Sequence, residues 1–295
     1  MSYIYRAYDL VIRSSLELPM LMRTDCASID LVIEESPVSP LGLDHADVVK
    51  PLSQVNEESL WFDVPGIARF LVERGKRITY EPYQEASSDS IQSYLLGSCL
   101  STIFYQKQQL VFRAFSVCVN DKSCAVFLGS CSEGKSTVAA MLNKKCYPLL
   151  SDDFCVITSD LMVMPGLSQL KLWRNTLPKI GVEQGSLKRV RSEIDKYVLP
   201  VEHCATNSPR TVTTMYLLTA HNINKVVLEE VSGFAKFNSL TNMSYRPQFV
   251  GKLIEKKTYM DLIVALSNKV RLVRVYHANS LGLNGLADAL DQDLR

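Results

Sequence analysis

Short runs of alternating hydrophobic and polar residues extend from the N-terminus to about Pro82, with turn-forming residues between them. This pattern is typical of β-strands that bury one face. The strands predicted in this way are Tyr5–Arg13, Ile29–Glu34, Ile67–Glu73 and Arg77–Glu81. The glycine-centred turn Arg74–Lys76 predicts a hairpin between the last two, whereas the polar, proline-containing segment 36–59 predicts a long loop. Residues 1–85 are therefore predicted to form a small β-rich N-terminal lobe.

Beyond this lobe, helical spacing of apolar residues alternates with the continuous apolar runs of buried strands. Helices are predicted over 87–108 (capped by Ser87 or Asp89), 137–144, 186–196 and 259–266. Strands are predicted over Leu110–Val119, Cys124–Leu128, Tyr147–Leu150 and Phe154–Ile157, within 211–229, and over Val270–Tyr276. Lys171–Trp173 falls in a turn-rich stretch. Together these elements predict a second domain of α/β class over residues 86–295.

Composition and charge limit the class of function. The chain has 295 residues, of which 47% are hydrophobic and 21% charged, so it can form one large or two modest globular domains. Its net charge of +1 provides no general attraction for nucleic acid or anionic lipid. No apolar run approaches membrane-spanning length and no signal peptide is visible, so we expect a cytoplasmic protein without nucleic-acid or membrane partners. The eight cysteines are spread singly, which predicts reduced thiols.

The most specific feature of the sequence is the segment 129–137, which matches G-x-x-x-x-G-K-[ST], the pattern of a phosphate-binding loop. Its two glycines let backbone N–H groups converge on one anion, Lys135 neutralises the terminal phosphates, and Ser136 offers a hydroxyl to Mg²⁺. The candidate nucleotide-binding residues are Gly129, Ser130, Cys131, Ser132, Glu133, Gly134, Lys135, Ser136 and Thr137. A strand-to-helix turn with an incidental lysine is the alternative. The predicted flanking strand and helix favour binding of ATP with Mg²⁺.

Two adjacent acids, Asp152 and Asp153, follow the predicted strand Tyr147–Leu150. A buried carboxylate is costly unless it is paired or bound to a metal, so this position favours a cation site. One acid can hold Mg²⁺ together with Ser136, while the other accepts the proton of an acceptor alcohol. The same groups would serve a hydrolase that activates water, and a solvated turn or helix cap is the structural alternative.

These motifs resemble the catalytic domain of HPr kinase/phosphorylase and its short relatives. The matching stretches are 125–129, 135–137, 147–153, 165–166, 171–173, 196–201 and 245–247. The opening at 5–8 and the hairpin at 69–72 are similar to the lobe of the short relatives. The resemblance implies a P-loop core with a mixed sheet, of the kind shared with phosphoenolpyruvate carboxykinase, preceded by the β-rich lobe.

The resemblance also implies how the site divides its work. In the family the first acid is the general base and the second helps to hold Mg²⁺. Asp152 is therefore expected to take the proton of a serine, and Asp153 to bind the metal with Ser136. Lys135 is the other residue expected to act in catalysis. Because adjacent carboxylates titrate as a pair, the two acids can also exchange roles.

The sequence departs from the family at two places. Many relatives carry a histidine ahead of the loop where this chain has Arg113, which is expected either to clamp a phosphate or to pair with a carboxylate. The long glycine-containing signature through which the bifunctional enzymes bind HPr is not found in the sequence. The resemblance therefore favours a kinase without phosphorylase activity.

Other polar residues are weaker candidates. Lys171 and Arg246 are candidate contacts to phosphate or substrate, although such residues more often pack at a domain edge or stay solvated. The histidines His203, His221 and His277 lie in unrelated segments without metal-ligand spacing. They are expected to be structural or surface residues.

The short relatives look like tailoring kinases of peptide natural-product pathways, notably lasso peptides, in which the C-terminal serine of a precursor is phosphorylated. The resemblance thus implies an ATP- and Mg²⁺-dependent serine kinase with a peptide substrate. Two alternatives remain open, namely a nucleotide-binding regulatory module and a hydrolytic NTPase. Members of the HPr kinase family form hexamers, so a homo-oligomer is compatible with the resemblance.

Overall fold

The structure, a computed structural model, is a mixed α/β protein that divides into two compact units. The described residues are 2–130, 133–167, 169–185, 187–191, 194–199, 201, 203, 208–221, 223, 225–277 and 283–295. The first unit comprises Met1–Val111 and Arg246–Asp261, and the second comprises Phe112–Tyr245 and Leu262–Arg295. The phosphate-binding motif and the two adjacent acids both belong to the second unit.

A nine-stranded sheet with the order β3-β1-β2-β4-β9-β8-β7-β6-β5 dominates the first unit. Its strands are β1 (Tyr3–Ala7), β2 (Leu10–Ser14), β3 (Met22–Arg23), β4 (Leu31–Glu35), β5 (Val48–Lys50), β6 (Ser53–Val55), β7 (Ser59–Val64), β8 (Ala68–Glu73) and β9 (Arg77–Pro82). The predicted hairpin is confirmed, since β8 and β9 pair antiparallel around Arg74 and Gly75, which both have positive φ. The strand predicted over 5–13 is instead two strands, because Tyr8 and Asp9 have φ of 51° and 64° and close a two-residue hairpin.

The segment 36–59, predicted as a long loop, is a loop only in part. It contains β5 and β6, which pair antiparallel at the edge of the sheet. Most residues of these two strands are partly or fully exposed. Edge strands of this kind lack the hydrophobic alternation by which strands are recognised in a sequence.

The helix predicted over 87–108 is confirmed, with one local distortion. Ser87 caps α1 (Ser88–Tyr94) by accepting a backbone N–H, and the helix continues through the π-helical turn Leu95–Cys99 into α2 (Leu100–Gln106). Its apolar side packs against β8 in the same unit. Neither this helix nor any other in the described part of the chain is long and apolar enough to cross a bilayer.

The second unit is built on a mixed sheet, as predicted. The remaining strands of the chain are β10 (Leu110–Phe112), β11 (Ala114–Cys118), β12 (Ser123–Leu128), β13 (Leu149–Ser151), β14 (Cys155–Ile157), β15 (Met162–Val163), β16 (Leu170–Trp173), β17 (Arg189–Arg191), β18 (Ile194–Leu199), β19 (Arg210–Ala220), β20 (Val227–Val231) and β21 (Arg271–His277). The remaining α-helices are α3 (Lys135–Lys144), α4 (Gly233–Met243), α5 (Lys256–Lys269) and α6 (Leu283–Leu294). β12 and β21 run parallel to β19, while β11 runs antiparallel to β12.

One face of this sheet carries the main core of the second unit. The aromatic rings of Phe115, Phe127 and Tyr216 stack there, with neighbouring ring centroids 4.5 and 4.8 Å apart. The buried residues of α3 and α6 pack in the same cluster. The core therefore fixes the helix that follows the phosphate-binding motif against strands β11, β12 and β19.

Two predictions about the segment between residues 170 and 200 are wrong. Residues 186–196, predicted as an exposed helix, include β17 and the start of β18, which pair antiparallel. Residues 171–173, predicted to lie in a turn, belong to β16 and pair with β18. The strands bury Leu170, Leu172 and Tyr197 in the core. Pairing of β18 with β16, which is distant in sequence, determines the conformation of this segment. The local pattern of charged residues does not reveal that pairing.

Candidate active site

The predicted phosphate-binding loop, residues 129–137, connects β12 to α3. Gly134 is the N-cap of α3 and adopts the left-handed conformation with φ 79°, which favours glycine. A Cβ at Gly129 would lie 2.8 Å from the Glu133 carboxylate, so this flexible side chain would have to shift to make room for a larger residue. The helix begins at Lys135, so the motif residues Lys135 and Ser136 lie in its first turn. Two predicted loop residues, Cys131 and Ser132, lie outside the described residues.

Charged groups of the loop are partnered within the loop itself. The Lys135 ammonium donates to the carbonyl oxygens of Gly129 at 2.6 Å and Ser130 at 2.7 Å. The Glu133 carboxylate accepts the backbone N–H of Ser130. A backbone N–H that faces a carboxylate oxygen can equally face a phosphate oxygen, and the N-terminal end of α3 adds a favourable dipole. The described part of the loop can therefore bind an anion. In this structure the Glu133 carboxylate accepts one of the backbone N–H groups, that of Ser130, which such an anion would use.

The acid turn, Asp152–Asp153, follows directly after β13. Asp152 is 4% exposed, and its Oδ2 is buried without a hydrogen-bond partner among the described groups. Burial, together with the charge of Asp153, raises the pKa of Asp152 to about 7. A carboxyl group with such a pKa can accept or release a proton near neutral pH.

Asp153 has different surroundings from its neighbour. It adopts a left-handed φ of 69°, and 38% of its side chain is exposed. The ammonium of Lys171, a buried residue on β16, donates to Asp153 Oδ2 at 2.5 Å. Burial opposes ionisation of Asp153, but the positive charges of Lys171 and Lys196 outweigh it and hold its pKa below the ordinary value. Asp153 is thus paired with a lysine and held ionised, whereas Asp152 is buried and its Oδ2 has no partner among the described groups.

The loop and the acid turn line one cavity of about 560 Å³ within the second unit. Its basic lining residues are Arg113, Lys135, Lys171, Lys179 and Lys196, and its acidic ones are Asp152 and Asp153. Gly134, Ser136, Thr137, Trp173 and His277 are among its other lining residues. The volume is that of a small-molecule site, and the excess of basic residues favours a polyanion such as a nucleoside triphosphate.

The residues expected to hold Mg²⁺ fit part of a coordination sphere. Ser136 and Asp153 both line the cavity, although Lys171 engages one oxygen of Asp153. In the part of the chain that the structure describes, no group of three or more His, Cys, Asp or Glu residues is arranged to hold a metal ion. Mg²⁺ is usually bound through one or two carboxylates together with substrate phosphates and water. These donors therefore suit Mg²⁺ that arrives with a nucleotide rather than a dedicated metal site.

The structure brings two further predicted contact residues, Arg113 and Lys171, to this cavity. Arg113 separates β10 from β11 and lines the cavity, as Lys171 does. Arg246 belongs to the first unit, where it donates to the hydroxyl of Ser98 at 2.7 Å and its guanidinium lies 5.9 Å from the ring centre of Phe249. A contact between Arg246 and phosphate or substrate therefore stays a prediction.

Lys179 and Lys196 were not predicted as site residues, and His277 was expected to be a structural or surface residue, but all three line the cavity. Lys196 lies in β18, at the end of the segment that was assigned to a helix. His277 directly follows a predicted strand, and ligands of parallel sheets bind at the carboxyl ends of strands. That position is the signal by which His277 could be found from sequence.

No protein-family model matches the sequence, and no curated protein matches it significantly. Among solved structures, the chain is similar to the Hpr(Ser) kinase/phosphatase from Coxiella burnetii, with a TM-score of 0.33 and 9% identity. The similarity covers 62% of this chain and 95% of that chain. A similarity this weak adds no argument about function, which depends on the cavity itself.

Proposed function

We propose that this chain transfers the terminal phosphate of ATP to a serine hydroxyl, with Mg²⁺ as cofactor. The observation that carries the proposal is the buried, unpartnered carboxylate oxygen of Asp152 in the cavity that Lys135 and Ser136 also line. Phosphoryl transfer needs a cradle for the triphosphate, a divalent cation and a group that receives the proton of the acceptor. The phosphate-binding loop supplies the cradle, Ser136 and Asp153 would hold the cation, and Asp152 is the proton acceptor.

In this reaction Asp152 receives the proton of the serine hydroxyl as the serine oxygen attacks the γ-phosphorus. The bond from that phosphorus to the β,γ-bridging oxygen breaks, and ADP leaves with the electron pair. A general base is most effective when its pKa lies near the working pH. Burial brings the pKa of Asp152 into that range.

The surroundings of the two acids support this order of roles. Asp153 is kept ionised by Lys171, and an ionised carboxylate is the form that binds a divalent cation. Mg²⁺ held by Ser136 and Asp153 would neutralise negative charge on the phosphates. Lys135 would exchange its two carbonyl partners in the loop for phosphate oxygens.

For the acceptor we propose the C-terminal serine of a lasso-type precursor peptide, following the sequence resemblance. A C-terminal serine carries a carboxylate next to its hydroxyl. The basic side chains of Arg113 and Lys196 on the cavity wall suit such a carboxylate. An acceptor serine inside a peptide chain would lack this charge, so the two kinds of substrate can be told apart.

Mass spectrometry tests the proposal. The full chain is incubated with Mg-ATP and a candidate precursor peptide that ends in serine, and in parallel with the same peptide ending in alanine. The expected result is a gain of phosphate on the serine peptide alone. Consumption of ATP without a gain on any peptide would replace the kinase with a hydrolase. Binding of ATP without consumption would instead favour a regulatory module.

A further inference from the structure

A second polar atom is buried at the cavity without a partner. His277, the last residue of β21, is 4% exposed and lines the cavity together with Lys135 and Asp152. Its Nε2 has no hydrogen-bond partner among the described groups. Because Asp152 Oδ2 is unpartnered as well, these two atoms do not bond to each other. A buried polar group without a partner is costly, and a ligand that enters the cavity can remove this cost.

The His277 side chain lies on the face of the sheet that carries α3. Residues two apart on a strand share a face, so Val273, Val275 and His277 point to the same side of β21. Val273 and Val275 are buried in the core that includes α3. His277 continues this face by one further step, beyond the core and toward the carboxyl end of the strand.

The register of the sheet places His277 at the edge from which the phosphate-binding loop departs. Leu128, the last residue of β12, lies opposite Leu217, which in turn lies opposite Arg274 of β21. His277 is three residues beyond Arg274, which is roughly 10 Å further along the strand. The loop extends past the same edge, where ligands of parallel sheets bind.

We propose that His277 is a nucleotide-binding residue whose Nε2–H donates a hydrogen bond to a phosphate oxygen of ATP. The proposal rests on the proposed ATP site and adds a residue to it. Phosphate oxygens accept hydrogen bonds, and an imidazole nitrogen can donate one in either the neutral or the protonated ring. The basic lining of the cavity favours such an anion over a metal ion as the partner of the imidazole.

Calorimetric titration of the full chain tests this assignment with two probes, ATP and inorganic tripolyphosphate. His277→Ala is expected to lower the affinity for both probes about tenfold, the usual size for a lost hydrogen bond to a charged group. His221→Ala is the matched control, because His221 is an exposed histidine just after the neighbouring strand β19. It should leave both affinities unchanged. Unchanged affinities in His277→Ala, or a loss confined to ATP, would overturn the phosphate contact.

A second pair of variants separates the contact from an effect on folding. His277→Gln retains an N–H donor, whereas His277→Met has a similar size and lacks one. The glutamine variant should bind tripolyphosphate about tenfold more tightly than the methionine variant. Equal affinities, with both variants folded by circular dichroism, would overturn the proposal.

The same titrations keep this proposal separate from the kinase proposal. A wild-type chain that binds ATP but transfers no phosphate would contradict the kinase and leave the His277 comparison intact. Normal transfer with no effect of His277→Ala on binding would overturn the His277 contact alone. A wild-type chain that binds neither probe would overturn both.

Discussion

The phosphate-binding loop and the acid turn line the same cavity but differ in how their charges are partnered. In the loop, Lys135 donates to backbone carbonyls and Glu133 accepts a backbone N–H. In the acid turn, Lys171 pairs with Asp153, whereas Asp152 Oδ2 is buried without a partner in the described part of the chain. The charged groups of the loop that the structure describes are therefore partnered without a ligand, whereas the acid turn keeps a polar atom without a partner among the described residues. Under the proposed kinase function, this difference assigns the affinity for ATP to the loop and the proton transfer to the acid turn.

The largest effect that would sharpen this comparison is expected at Lys135. Lys135→Ala removes the cation of the loop, so the affinity for ATP should fall by on the order of a hundredfold. Calorimetric titration measures this change directly. Lys122→Ala is the control, since Lys122 is an exposed lysine in the turn between β11 and β12. A change at Lys135 no larger than at Lys122 would mean that the loop does not bind the triphosphate.

A smaller effect, on stability, is expected from the partner of Asp153. Lys171→Met leaves that carboxylate without its cation, which for fully buried pairs costs about 3–5 kcal/mol. Because 38% of the Asp153 side chain is exposed, we expect the free energy of unfolding to fall by about 1–3 kcal/mol. Urea denaturation of the ligand-free chain measures it.

The exposed ion pair between Lys257 and Asp261 provides the control for that measurement. Its lysine side chain is 80% exposed, so Lys257→Met should change stability by less than about 0.5 kcal/mol. Equal losses in Lys257→Met and Lys171→Met would show that burial adds nothing to the pair in the acid turn.

The acid turn should also make the ligand-free chain less stable as the pH rises from about 4 to about 7. The pKa of Asp152 is about 7 in the folded chain and about 3.9 when unfolded. Between these values the folded state holds a proton that the unfolded state has released. The free energy of unfolding therefore falls by up to about 1.4 kcal/mol per pH unit from this group. Denaturation is measured at a series of pH values in chelating buffer. The free energy of unfolding should fall less steeply with pH in Asp152→Asn than in the wild type, and equal slopes would rule out the raised pKa of Asp152.

The smallest effect is expected at the internal carboxylate of the loop. Glu133→Gln removes a negative charge that holds the N–H of Ser130, so the affinity for tripolyphosphate should rise about fivefold, equivalent to about 1 kcal/mol between screened charges. Glu229→Gln, at an exposed position on β20, should have no effect. A lower affinity in Glu133→Gln would mean that this carboxylate orders the loop instead of competing with phosphate.

The parts of the site that are contiguous in sequence could be predicted. The spacing of Gly129, Gly134 and Lys135 indicates the loop, since Gly134 adopts a positive φ that favours glycine and Lys135 supplies a positive charge. Asp152 and Asp153 could be predicted as candidate site residues, because a carboxylate next to a buried strand is costly unless it is paired or bound to a cation. What the sequence does not show is that neighbouring acids have opposite pKa shifts, since Lys171 reaches Asp153 from another strand.

The parts that depend on strand pairing could not be predicted. β17 and β18 carry many charged residues, and this composition resembles an exposed helix until pairing with β16 is known. His277 was expected to be a structural or surface residue because the histidines lie in unrelated segments without metal-ligand spacing. Its position directly after a predicted strand is a signal that the sequence contains, but its place beside this cavity depends on the register between β21 and β19, which the sequence does not show.

The most direct test asks whether binding and proton transfer belong to different residues. ATP affinity and the rate of phosphate transfer are measured side by side for the wild type, Asp152→Asn and the control Asp160→Asn, which changes an exposed acid. Asp152→Asn should keep the affinity within about twofold and lower the rate by on the order of a hundredfold or more. Asp160→Asn should change neither quantity. Transfer at the wild-type rate in Asp152→Asn would contradict the assignment of the base.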